Sequence, residues 1–480
     1  MEAATLTPPV EQSSTIQKAF EAQHKHYLQR PMPDYHSRMA HLKRLQSWIL
    51  AHRQEISEAI YLDFKKPHTE TEVSELIPVI GEIKHTRKHL REWMQPKRVP
   101  TPMNMMGSRA EILYEPKGVS LIIGPWNYPF SLMVGPLVSA LAAGCTAILK
   151  PSEMTPHTAA LISTMVQELY RPEEVTVFEG DVAVSTALLK LPFDHIFFTG
   201  SPAVGKIVMR AASDHLTSVT LELGGKSPVV VDPSAHLKST AEKLAWGKCL
   251  NNGQTCIAPD YALVPENMVE PLVAAMKVAT KKMLDPEGKG IQQAGNYARI
   301  VNERHYQRLI SALDEAVAAG ATVVMGGEKD DLDCYLSPTV IVDVPEHCSL
   351  LQEEIFGPIL PIRTYQNLEE AISYIKDKPK PLALYYFGKS NTRMRTLLSQ
   401  TSAGGVVTND TVLHFSHAEL PFGGVNTSGI GKGHGHHGFL AFTNEKGTMR
   451  QLRRTSLSKL IYPPYTGLVK RFADLIMKFF

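Results

Sequence analysis

The segment SLIIGPWNYPFSLMVGPLVSALAAGCTAIL, residues 120–149, runs thirty residues without a charged side chain. A membrane-spanning helix needs about 20 apolar residues, but Pro125, Pro129 and Pro136 interrupt this stretch. A βαβ unit explains it better, with a strand near 119–123, a loop over 124–129, a helix near 132–143 and a second strand near 146–149. Because both strands are apolar throughout, the unit predicts a parallel sheet covered by helices on both faces.

The same alternation continues downstream in two sets, before and after residue 222. The first set predicts helices near 158–169 and 204–213 and strands near 175–178 and 193–199. The second predicts strands near 228–231, 322–325 and 339–342 and helices near 240–249, 271–283 and 305–319. Such alternation is typical of α/β domains, and we expect two of them. The preceding stretch, roughly 17–98, has helical periodicity with mixed surface charge.

Composition excludes several classes of protein. The 480 residues are 43% hydrophobic and 20% charged, as in ordinary soluble proteins and unlike collagen-like or disordered chains. A formal net charge of +2 gives no reason to expect nucleic-acid binding. The five cysteines lack a Cys-x-x-Cys pair and the N-terminus lacks a secretory signal, so we expect a cytoplasmic protein.

A second informative segment is FTGSPAVG, residues 198–205, at the end of an apolar strand. Gly200 provides the turn, Ser201 can cap the next helix, and Pro202 suits its first position. The N-terminus of a helix favours an anion such as a pyrophosphate. The segment lacks the G-x-G-x-x-G pattern, so an ordinary strand–turn–helix corner is the alternative.

Cys256 lies between Gly253-Gln254-Thr255 and Ile257-Ala258-Pro259, a composition that places it in a loop or at the end of an element. Backbone N–H groups there can lower a thiol pKa, and a nearby carboxylate could act as a general base. The alternative is a small buried apolar residue, which is the commoner fate of a free cysteine. We expect that fate for Cys145, Cys249, Cys334 and Cys348.

Separated motifs occur in order: GPWNYP (124–129), LKPSE (149–153), FTGSPAVGK (198–206), LELGGKSP (221–228), NNGQTCIAPDY (251–261), EEIFGP (353–358), PLALYYF (381–387), GGVVTND (404–410) and LPFGGVNTSGIG (420–431). From about residue 38 to residue 446 the chain resembles the aldehyde dehydrogenase superfamily. The APDY and PLALY segments resemble its class 3 branch, which includes fatty and aromatic aldehyde dehydrogenases.

The resemblance implies roles for three catalytic residues. Cys256 would attack the aldehyde carbon, giving a thiohemiacetal and then a thioester. The Asn127 side-chain amide and the Cys256 backbone N–H would form the oxyanion hole, worth about 3–4 kcal/mol per donor. Glu222 would activate the water that hydrolyses the thioester.

The resemblance also implies a dinucleotide site. Lys150 and Glu153 would bind the adenosine ribose, the Gly200–Gly205 corner the pyrophosphate, and Glu354 and Phe356 the nicotinamide end. The cofactor-binding residues are therefore predicted to be Trp126, Lys150, Glu153, Gly200, Ser201, Pro202, Ala203, Val204, Gly205, Glu354 and Phe356. A carboxylate at the ribose repels a 2′-phosphate, which favours NAD, with NADP as an alternative. Pro202-Ala203 departs from the Thr and Gly or Glu of many relatives.

The implied fold is a Rossmann-like NAD(P)-binding domain (1–107 and 120–223), an α/β catalytic domain (224–430) and a small β oligomerisation element (108–119 and 439–455). That element implies a homodimer. The implied reaction is oxidation of a medium- or long-chain aliphatic or an aromatic aldehyde to its acid. The alternatives are a CoA-acylating dehydrogenase, against which Glu222 argues, and a protein that keeps the fold without activity.

Two further patterns have ordinary interpretations. The run Gly433-His434-Gly435-His436-His437-Gly438 has no Cys or acidic partner at ligand spacing, so we expect a flexible loop and no metal site. Trp126, Tyr128 and Trp246 flank the catalytic motifs and could line a substrate tunnel, although aromatic residues more often lie in the core.

The C-terminal tail, residues 456–480, is basic and amphipathic. From residue 446 onward, eight Lys and Arg face a single acidic residue, Asp474. Helical spacing puts an apolar set on one face, namely Leu468, Phe472, Leu475, Ile476 and Phe479. Such a helix is too short to span a bilayer and suits an anionic membrane surface, and packing on the protein's own dimer is the alternative.

Overall fold

The computed structural model describes residues 10–30, 32–102, 105–452, 459 and 462–479. Parts of three predicted units therefore lie outside the described residues. They are 1–9, 31, 103 and 104 of the first unit, 453–455 of the oligomerisation element, and 456–458, 460, 461 and 480 of the tail, with Arg453 and Arg454 among them.

The helices and strands follow one another along most of the described chain. The helices are α1 Val10–Gln29, α2 Tyr35–Ala51, α3 Arg53–Phe64, α4 His68–Thr71, α5 Ile77–Trp93, α6 Ser131–Ala143, α7 Pro156–Leu169, α8 Val182–Leu189, α9 Pro202–Ser213, α10 Leu237–Cys249, α11 Glu266–Leu284, α12 Glu303–Ala318, α13 Ser349–Gln352, α14 Leu368–Asp377, α15 Asn391–Gln400, α16 Gly435–Ala441 and α17 Gly467–Phe479. The strands are β1 Lys97–Val99, β2 Ser108–Pro116, β3 Val119–Ile123, β4 Thr146–Lys150, β5 Val175–Val177, β6 His195–Gly200, β7 Ser218–Leu223, β8 Pro228–Val231, β9 Tyr261–Pro265, β10 Thr322–Met325, β11 Lys329–Asp330, β12 Tyr335–Leu336, β13 Thr339–Val342, β14 Ile359–Tyr365, β15 Ala383–Phe387, β16 Gly405–Thr408, β17 Gly429–Ile430 and β18 Thr443–Gln451.

The first large sheet is built around the segment that predicted it. Its strand order is β17-β7-β6-β3-β4-β5, and all neighbours except β17 run parallel. Alternate residues of β3 enter different cores: Ile122 packs with α2, α3, α5 and α6, whereas Leu121 and Ile123 pack with α1 and α8 on the other face. Burial on both faces explains the absence of charge in residues 120–149.

Helix α6 crosses between β3 and β4 and is buried along nearly its whole length. It is apolar all round because sheet and helices surround it. Pro136 is accommodated inside the helix, and Gly144, at φ 88°, ends it in the left-handed conformation. The predicted βαβ unit is therefore confirmed, with the helix beginning one residue earlier than expected.

The second large sheet has the order β10-β13-β14-β9-β8-β15-β16, and only β10 is antiparallel to its neighbour. Its predicted strands at 228–231, 322–325 and 339–342 are confirmed. Helix α11 begins at Glu266, five residues before the predicted start, because Pro271 lies in its second turn and does not interrupt it. An α/β fold with two largely parallel sheets is thus confirmed.

A third sheet joins distant parts of the chain. Strand β2 pairs antiparallel with β18 over nine residues, from Ser108↔Gln451 to Pro116↔Thr443, and β1 pairs with the other edge of β2. Most of β18 is exposed. This ribbon coincides with the predicted oligomerisation element. The division into domains stays a prediction. Strand β17, Gly429–Ile430, belongs to the predicted catalytic domain (224–430), but it pairs with β7 at the edge of the first sheet.

The tail forms helix α17, as its spacing predicted. Leu468, Leu475 and Met477 are exposed, and the side chains of Ile476 and Phe479 lie outside the described part of the structure. Among the described helices, none is long and apolar enough to cross a membrane.

Candidate active site

The predicted cofactor residues follow neighbouring strands of the first sheet. Ile123 at the end of β3 pairs with Lys150 of β4 and with Phe198 of β6, so these strands end at a common edge. In open α/β sheets, ligands bind outside the carboxyl ends of the strands. The structure therefore brings four segments to one edge, which begin after β3, β4, β6 and β7.

The corner after β6 has the predicted geometry. The Ser201 hydroxyl accepts a hydrogen bond from the Val204 N–H (3.4 Å), and Pro202 occupies the first turn of α9. Gly205 lies against β7, where an added Cβ would come within 2.7 Å of Leu223 Cδ2. The helix start is exposed at Ser201, Ala203 and Val204. An exposed helix N-terminus on a closely packed glycine fits a dinucleotide pyrophosphate.

Lys150 and Glu153 lie together at the end of β4. The Lys150 ammonium is buried, donates to the Pro151 carbonyl (2.8 Å) and lies 3.3 Å from Glu153 Oε2. Burial lowers the pKa of Lys150, and the Glu153 carboxylate opposes that shift. The Glu153 side chain is 39% exposed, so it is open to the hydroxyl groups of a ribose.

The turn that carries Cys256 has an unusual backbone. Asn251, Asn252 and Gly253 are consecutive left-handed residues, with φ 53°, 57° and 70°. A Cβ at Gly253 would also collide with the Gly357 carbonyl, so glycine is required there. The Gln254 side chain holds the turn by donating to the Arg299 carbonyl (2.9 Å) and accepting from Val301 N–H (3.0 Å). The backbone turn that precedes Cys256 is therefore held in one conformation.

Asn127 is brought to the same turn. The Asn127 side-chain amide donates to the Gln254 backbone carbonyl (2.8 Å), and the Asn127 backbone carbonyl accepts from the Asn251 side-chain amide (2.8 Å). An Asn amide carries two donor hydrogens, so one can point elsewhere. The hydrogen bond to the Gln254 carbonyl brings Asn127 against the turn that carries the Cys256 N–H, so the two predicted oxyanion donors meet at one turn although they are distant in sequence.

The environment of Cys256 disfavours its thiolate. Burial, followed by the charges of Glu354 and Glu222, raises the pKa of the Cys256 thiol well above its ordinary value. The expectation of a lowered pKa is therefore wrong, because burial and the two carboxylates outweigh the backbone N–H groups that lower it. A nucleophilic role then requires a base to remove its proton.

Glu222, at the carboxyl end of β7, can accept a proton. It is buried, and within the described part of the chain neither of its carboxyl oxygens has a hydrogen-bond partner. Burial raises its pKa to about 8, with the Lys432 ammonium opposing the shift. A carboxyl group poised near neutral pH has the properties of a general base.

Glu354 and Phe356 lie on the segment after α13, and the charge of Glu354 raises the pKa of Cys256. Burial raises the pKa of Glu354 to about 8, and Asp260 adds to the shift while Lys226 opposes it. The Glu354 carboxylate lies so close to Gly224 that any Cβ there would collide with it. Phe356, at φ 49°, makes an edge contact with Trp126 (ring centroids 5.2 Å apart).

An apolar pocket contains both Cys256 and Glu222. Its other lining residues include Tyr128, Leu132, Trp246, Leu250, Leu382, Val412, Leu413, Phe415 and Phe422. Two of the three aromatic residues expected in a tunnel, Tyr128 and Trp246, thus line it. Trp126 packs instead against Phe356 and His305.

Sequence reasoning missed two buried ion pairs that hold the site. Glu75 accepts from Phe130 N–H (3.0 Å), Ser131 N–H (3.1 Å) and the Lys66 ammonium (3.1 Å), which fixes the start of α6 just after Asn127. Glu75 lies in helical sequence and Lys66 in the loop between α3 and α4, two settings where charged side chains are usually solvated, so no signal distinguished them.

The second pair joins Lys226 to Asp260 at 2.5 Å. Asp260 also accepts from Ile355 N–H (2.9 Å), and Lys226 donates to the Glu353 carbonyl (2.8 Å). The pair therefore positions the EEIFGP segment. Both residues occur in the quoted motifs LELGGKSP and APDY, which is the signal that could have found them.

Histidines at the pocket wall were also missed. His434 lines the pocket with Glu82, and its Nδ1 lies 3.9 Å from Glu82 Oε2. The run 433–438 is not a flexible loop, because residues from Gly435 onward form α16 and the Gly435 N–H donates to Glu82 (2.7 Å).

A dinucleotide edge next to a pocket with a cysteine and a poised carboxyl group defines an NAD(P)-dependent oxidoreductase. Comparison with known proteins narrows the class. The family model described as "Aldehyde dehydrogenase family" matches residues 3–448. The chain belongs to the aldehyde dehydrogenase family.

Individual relatives agree with this assignment. 4,4'-Diaponeurosporen-aldehyde dehydrogenase of Staphylococcus aureus is 43% identical, covering 91% of this chain and 94% of its own. Aldehyde dehydrogenase family 3 member A2 of Macaca fascicularis is 41% identical over 89% and 87% of the two chains. The mouse "Aldehyde dehydrogenase, dimeric NADP-preferring" is 41% identical over 90% and 94%. The predicted family, its class 3 character and the use of NAD or NADP are confirmed.

A solved structure agrees as well. The structure described as the substrate-bound state of Staphylococcus aureus AldH superimposes with a TM-score of 0.92 at 41% identity, covering 96% of this chain and 99% of that one. The predicted aldehyde dehydrogenase fold is confirmed, and the chain is an enzyme.

Proposed function

We propose that the enzyme oxidises medium- or long-chain aliphatic or aromatic aldehydes to carboxylic acids. The observation that carries the proposal is the apolar pocket into which Cys256 and Glu222 both open. Apolar side chains dominate its wall, and burial of an alkyl chain or ring there is favourable by about 25 cal/mol per Å² of apolar surface. The pocket thus suits a substrate whose aldehyde is its main polar group.

In the proposed mechanism, Glu222 removes the proton of the Cys256 thiol, and the sulfur bonds to the aldehyde carbon. The raised pKa of Glu222 strengthens this carboxylate as a base, and the raised pKa of the Cys256 thiol makes such a base necessary. The Cys256 N–H and the free hydrogen of the Asn127 amide stabilise the oxygen that gains negative charge. When bound, NAD(P) supplies the hydride acceptor.

The acyl group then leaves Cys256 by hydrolysis. Glu222, having passed the thiol proton to solvent, takes a proton from water as the water oxygen attacks the thioester carbon. The carbon–sulfur bond then breaks, and Glu222 returns that proton to the Cys256 sulfur. The unpaired carboxyl oxygens of Glu222 support this role, because a water molecule can approach them without breaking a hydrogen bond. Transfer to CoA is the alternative, and detection of an acyl-CoA product in place of the free acid would establish it.

Cofactor contacts are proposed for residues at the sheet edge. Glu153, beside the buried Lys150 ammonium, binds the adenosine ribose hydroxyls, and the α9 start from Gly200 to Gly205 binds the pyrophosphate. Glu354 binds the nicotinamide ribose, which would satisfy its unpaired Oε1. Trp126 and Phe356 pack beside it.

The test is steady-state kinetics with aldehydes from short to long chain and with benzaldehyde derivatives, using NAD and NADP side by side. Cys256→Ala should abolish NADH formation. Cys334→Ala, which removes the other half-buried cysteine, should retain it. Retained turnover by the Cys256 variant would contradict the assigned nucleophile.

We propose a homodimer formed in part by the β2–β18 ribbon. The exposed side of β18, including Met449 at 60% exposure, supports an interface there. Light scattering should give twice the 53.2 kDa chain mass. Met449→Arg should shift the equilibrium toward the monomer, and an unchanged mass would remove the ribbon from the interface.

We propose that α17 docks on an anionic lipid surface facing the cytoplasm. Leu468 is 80% and Leu475 52% exposed, and Lys470, Arg471 and Lys478 provide the positive charge. Flotation with phosphatidylserine vesicles should recover the full chain and not a chain truncated after Tyr465. Equal recovery of both would contradict the proposal, as would binding to neutral vesicles of equal strength.

A further inference from the structure

A histidine pair on α5 forms a cluster outside the proposed catalytic machinery. His85 and His89 are four residues apart, so they lie on one face of the helix, and their ring centroids are 4.6 Å apart. Glu419 approaches from the turn before Phe422, with its Oε1 3.7 Å from His85 Nε2. One ligand atom from each of the three residues lies within 4.8 Å of the others.

The donor set indicates which ion would bind. Two imidazoles and one carboxylate suit Zn²⁺ and similar divalent transition metals, whereas Mg²⁺ and Ca²⁺ take oxygen ligands. Two histidines at i and i+4 on a helix are a recurrent zinc-binding arrangement. Ligand atoms on one tetrahedral zinc lie roughly 3.3 Å apart, given zinc–nitrogen bonds of about 2.0 Å. Small rotations, chiefly of the exposed Glu419, would close the present separations.

The surroundings favour neutral, oriented ligands. The His85 side chain is only 15% exposed, and its Nε2 faces the Glu419 carboxylate at 3.7 Å. Glu92 Oε2 lies 3.8 Å from His89 Nδ1, which leaves Nε2 of that ring for the ion. A carboxylate behind a ligating histidine commonly fixes its tautomer and orientation.

We propose that His85, His89 and Glu419 bind a Zn²⁺ ion that ties α5 to the 417–420 turn at the wall of the substrate pocket. Glu82, one turn before His85, and Phe422, three residues after Glu419, both line that pocket. The ion would therefore fix the wall without touching Cys256. The sequence predicted no metal site in the run 433–438, and this site uses other residues.

Zinc binding is measured by calorimetry on the chelator-treated full chain. We expect one zinc site per chain, and His89→Ala should lower its affinity by about 100-fold or more. Loss of a residue that only hydrogen-bonds to a metal ligand typically costs about 10–100-fold, and loss of the ligand itself should cost at least as much. His417→Ala, which removes an exposed histidine from the same turn, should bind as tightly as the parent protein. Equal affinity of the parent and His89→Ala would overturn the proposal.

Two further variants locate the bound zinc. Cys256→Ser tests whether the thiol of Cys256 binds the zinc instead. If Cys256→Ser loses zinc binding and His89→Ala retains it, the zinc is bound by Cys256 and the proposal is overturned. Glu419→Gln changes a mostly exposed side chain and should fold normally, so weakened binding there supports the site even if His89→Ala is unstable. Unchanged binding in Glu419→Gln would exclude that residue as a ligand and overturn the three-residue site.

An optical readout is available at the site. Trp93 lies against both candidate ligands, with ring centroids 5.6 Å from His85 and 6.0 Å from His89. Ni²⁺ alone should therefore quench part of the tryptophan fluorescence, and Trp93→Phe should abolish the quenching without abolishing Ni²⁺ binding. Quenching that persists in Trp93→Phe would place the ion elsewhere.

Discussion

The regions around Glu222 and Glu354 each hold a carboxyl group whose pKa burial raises to about 8, and the charges of both groups raise the pKa of Cys256. Around Glu222 the wall is apolar, and Lys432 is the cation that opposes the shift. Around Glu354, a charged network of Lys226, Asp260 and Arg308 surrounds a carboxylate that rests on Gly224. The two settings fit the two roles proposed above, proton transfer for Glu222 and cofactor binding for Glu354.

The difference teaches that a raised pKa does not by itself identify a general base. Access to the reacting atom decides the role. Glu222 lines the apolar pocket together with Cys256, whereas the lining of that pocket does not include Glu354 within the described residues. Changes to each region should therefore separate chemistry from cofactor binding.

The largest effect is expected for Glu222→Gln. Loss of a general base typically lowers kcat by about 10²–10⁴-fold. If acyl transfer to Cys256 still occurs, rapid mixing should detect at most one NADH per active site, followed by a stall at the thioester. Full turnover would contradict the role of Glu222.

Glu354→Gln should act mainly on the cofactor. At a pH above the pKa of Glu354, about 8, loss of this charged hydrogen-bond acceptor costs about 1.5–3 kcal/mol, or roughly 10–100-fold in affinity, so KM for NAD should rise within that range. Gly224→Ala displaces the same carboxylate and should raise KM in the same direction. A burst followed by a stall in Glu354→Gln would instead place the base in this region.

The pH dependence of kcat should distinguish the two carboxyl groups. Glu222 is protonated and inactive below its pKa, so kcat should increase as the pH rises through about 8. Glu354→Gln should keep that inflection, and Glu222→Gln should lose it. The opposite pattern would exchange the two roles.

The smallest effect is expected for Gly433→Ala. An added Cβ would lie 3.5 Å from Glu222 Oε1 and from Phe197, at ordinary contact distance. We expect kcat to change by less than about threefold, or roughly 0.7 kcal/mol in the barrier, because a methyl group at this distance leaves the Glu222 carboxyl group in place. A Gly433→Ala variant as impaired as Gly224→Ala would mean that Glu222 is as tightly confined as Glu354.

The sequence predicted the first sheet well because residues 120–149 leave few alternatives: an uncharged run broken by prolines must be buried in short elements. The Ser201 cap and Pro202 predicted the start of α9 for the same kind of local reason. The sequence also located Cys256, Glu222 and Asn127 through motifs.

The features that the sequence could not predict depend on contacts between residues that are far apart in the chain. The pKa of Cys256 is set by Glu354, almost a hundred residues away, and by burial, neither of which has a local signature. The Lys66–Glu75 pair and the approach of Glu419 to α5 are of the same kind. These features arise only when separate elements pack together.

The short pairing of β17 with β7 limits how the enzyme can open. Gly429 pairs with Glu222. The segment that follows β16 of the second sheet is therefore hydrogen-bonded to β7 of the first sheet, the strand that carries the proposed base. A movement that separates the two sheets would first have to break the hydrogen bonds between β17 and β7. Exchange of small molecules should therefore depend on local movements of loops and side chains, with the two sheets behaving as one mechanical body.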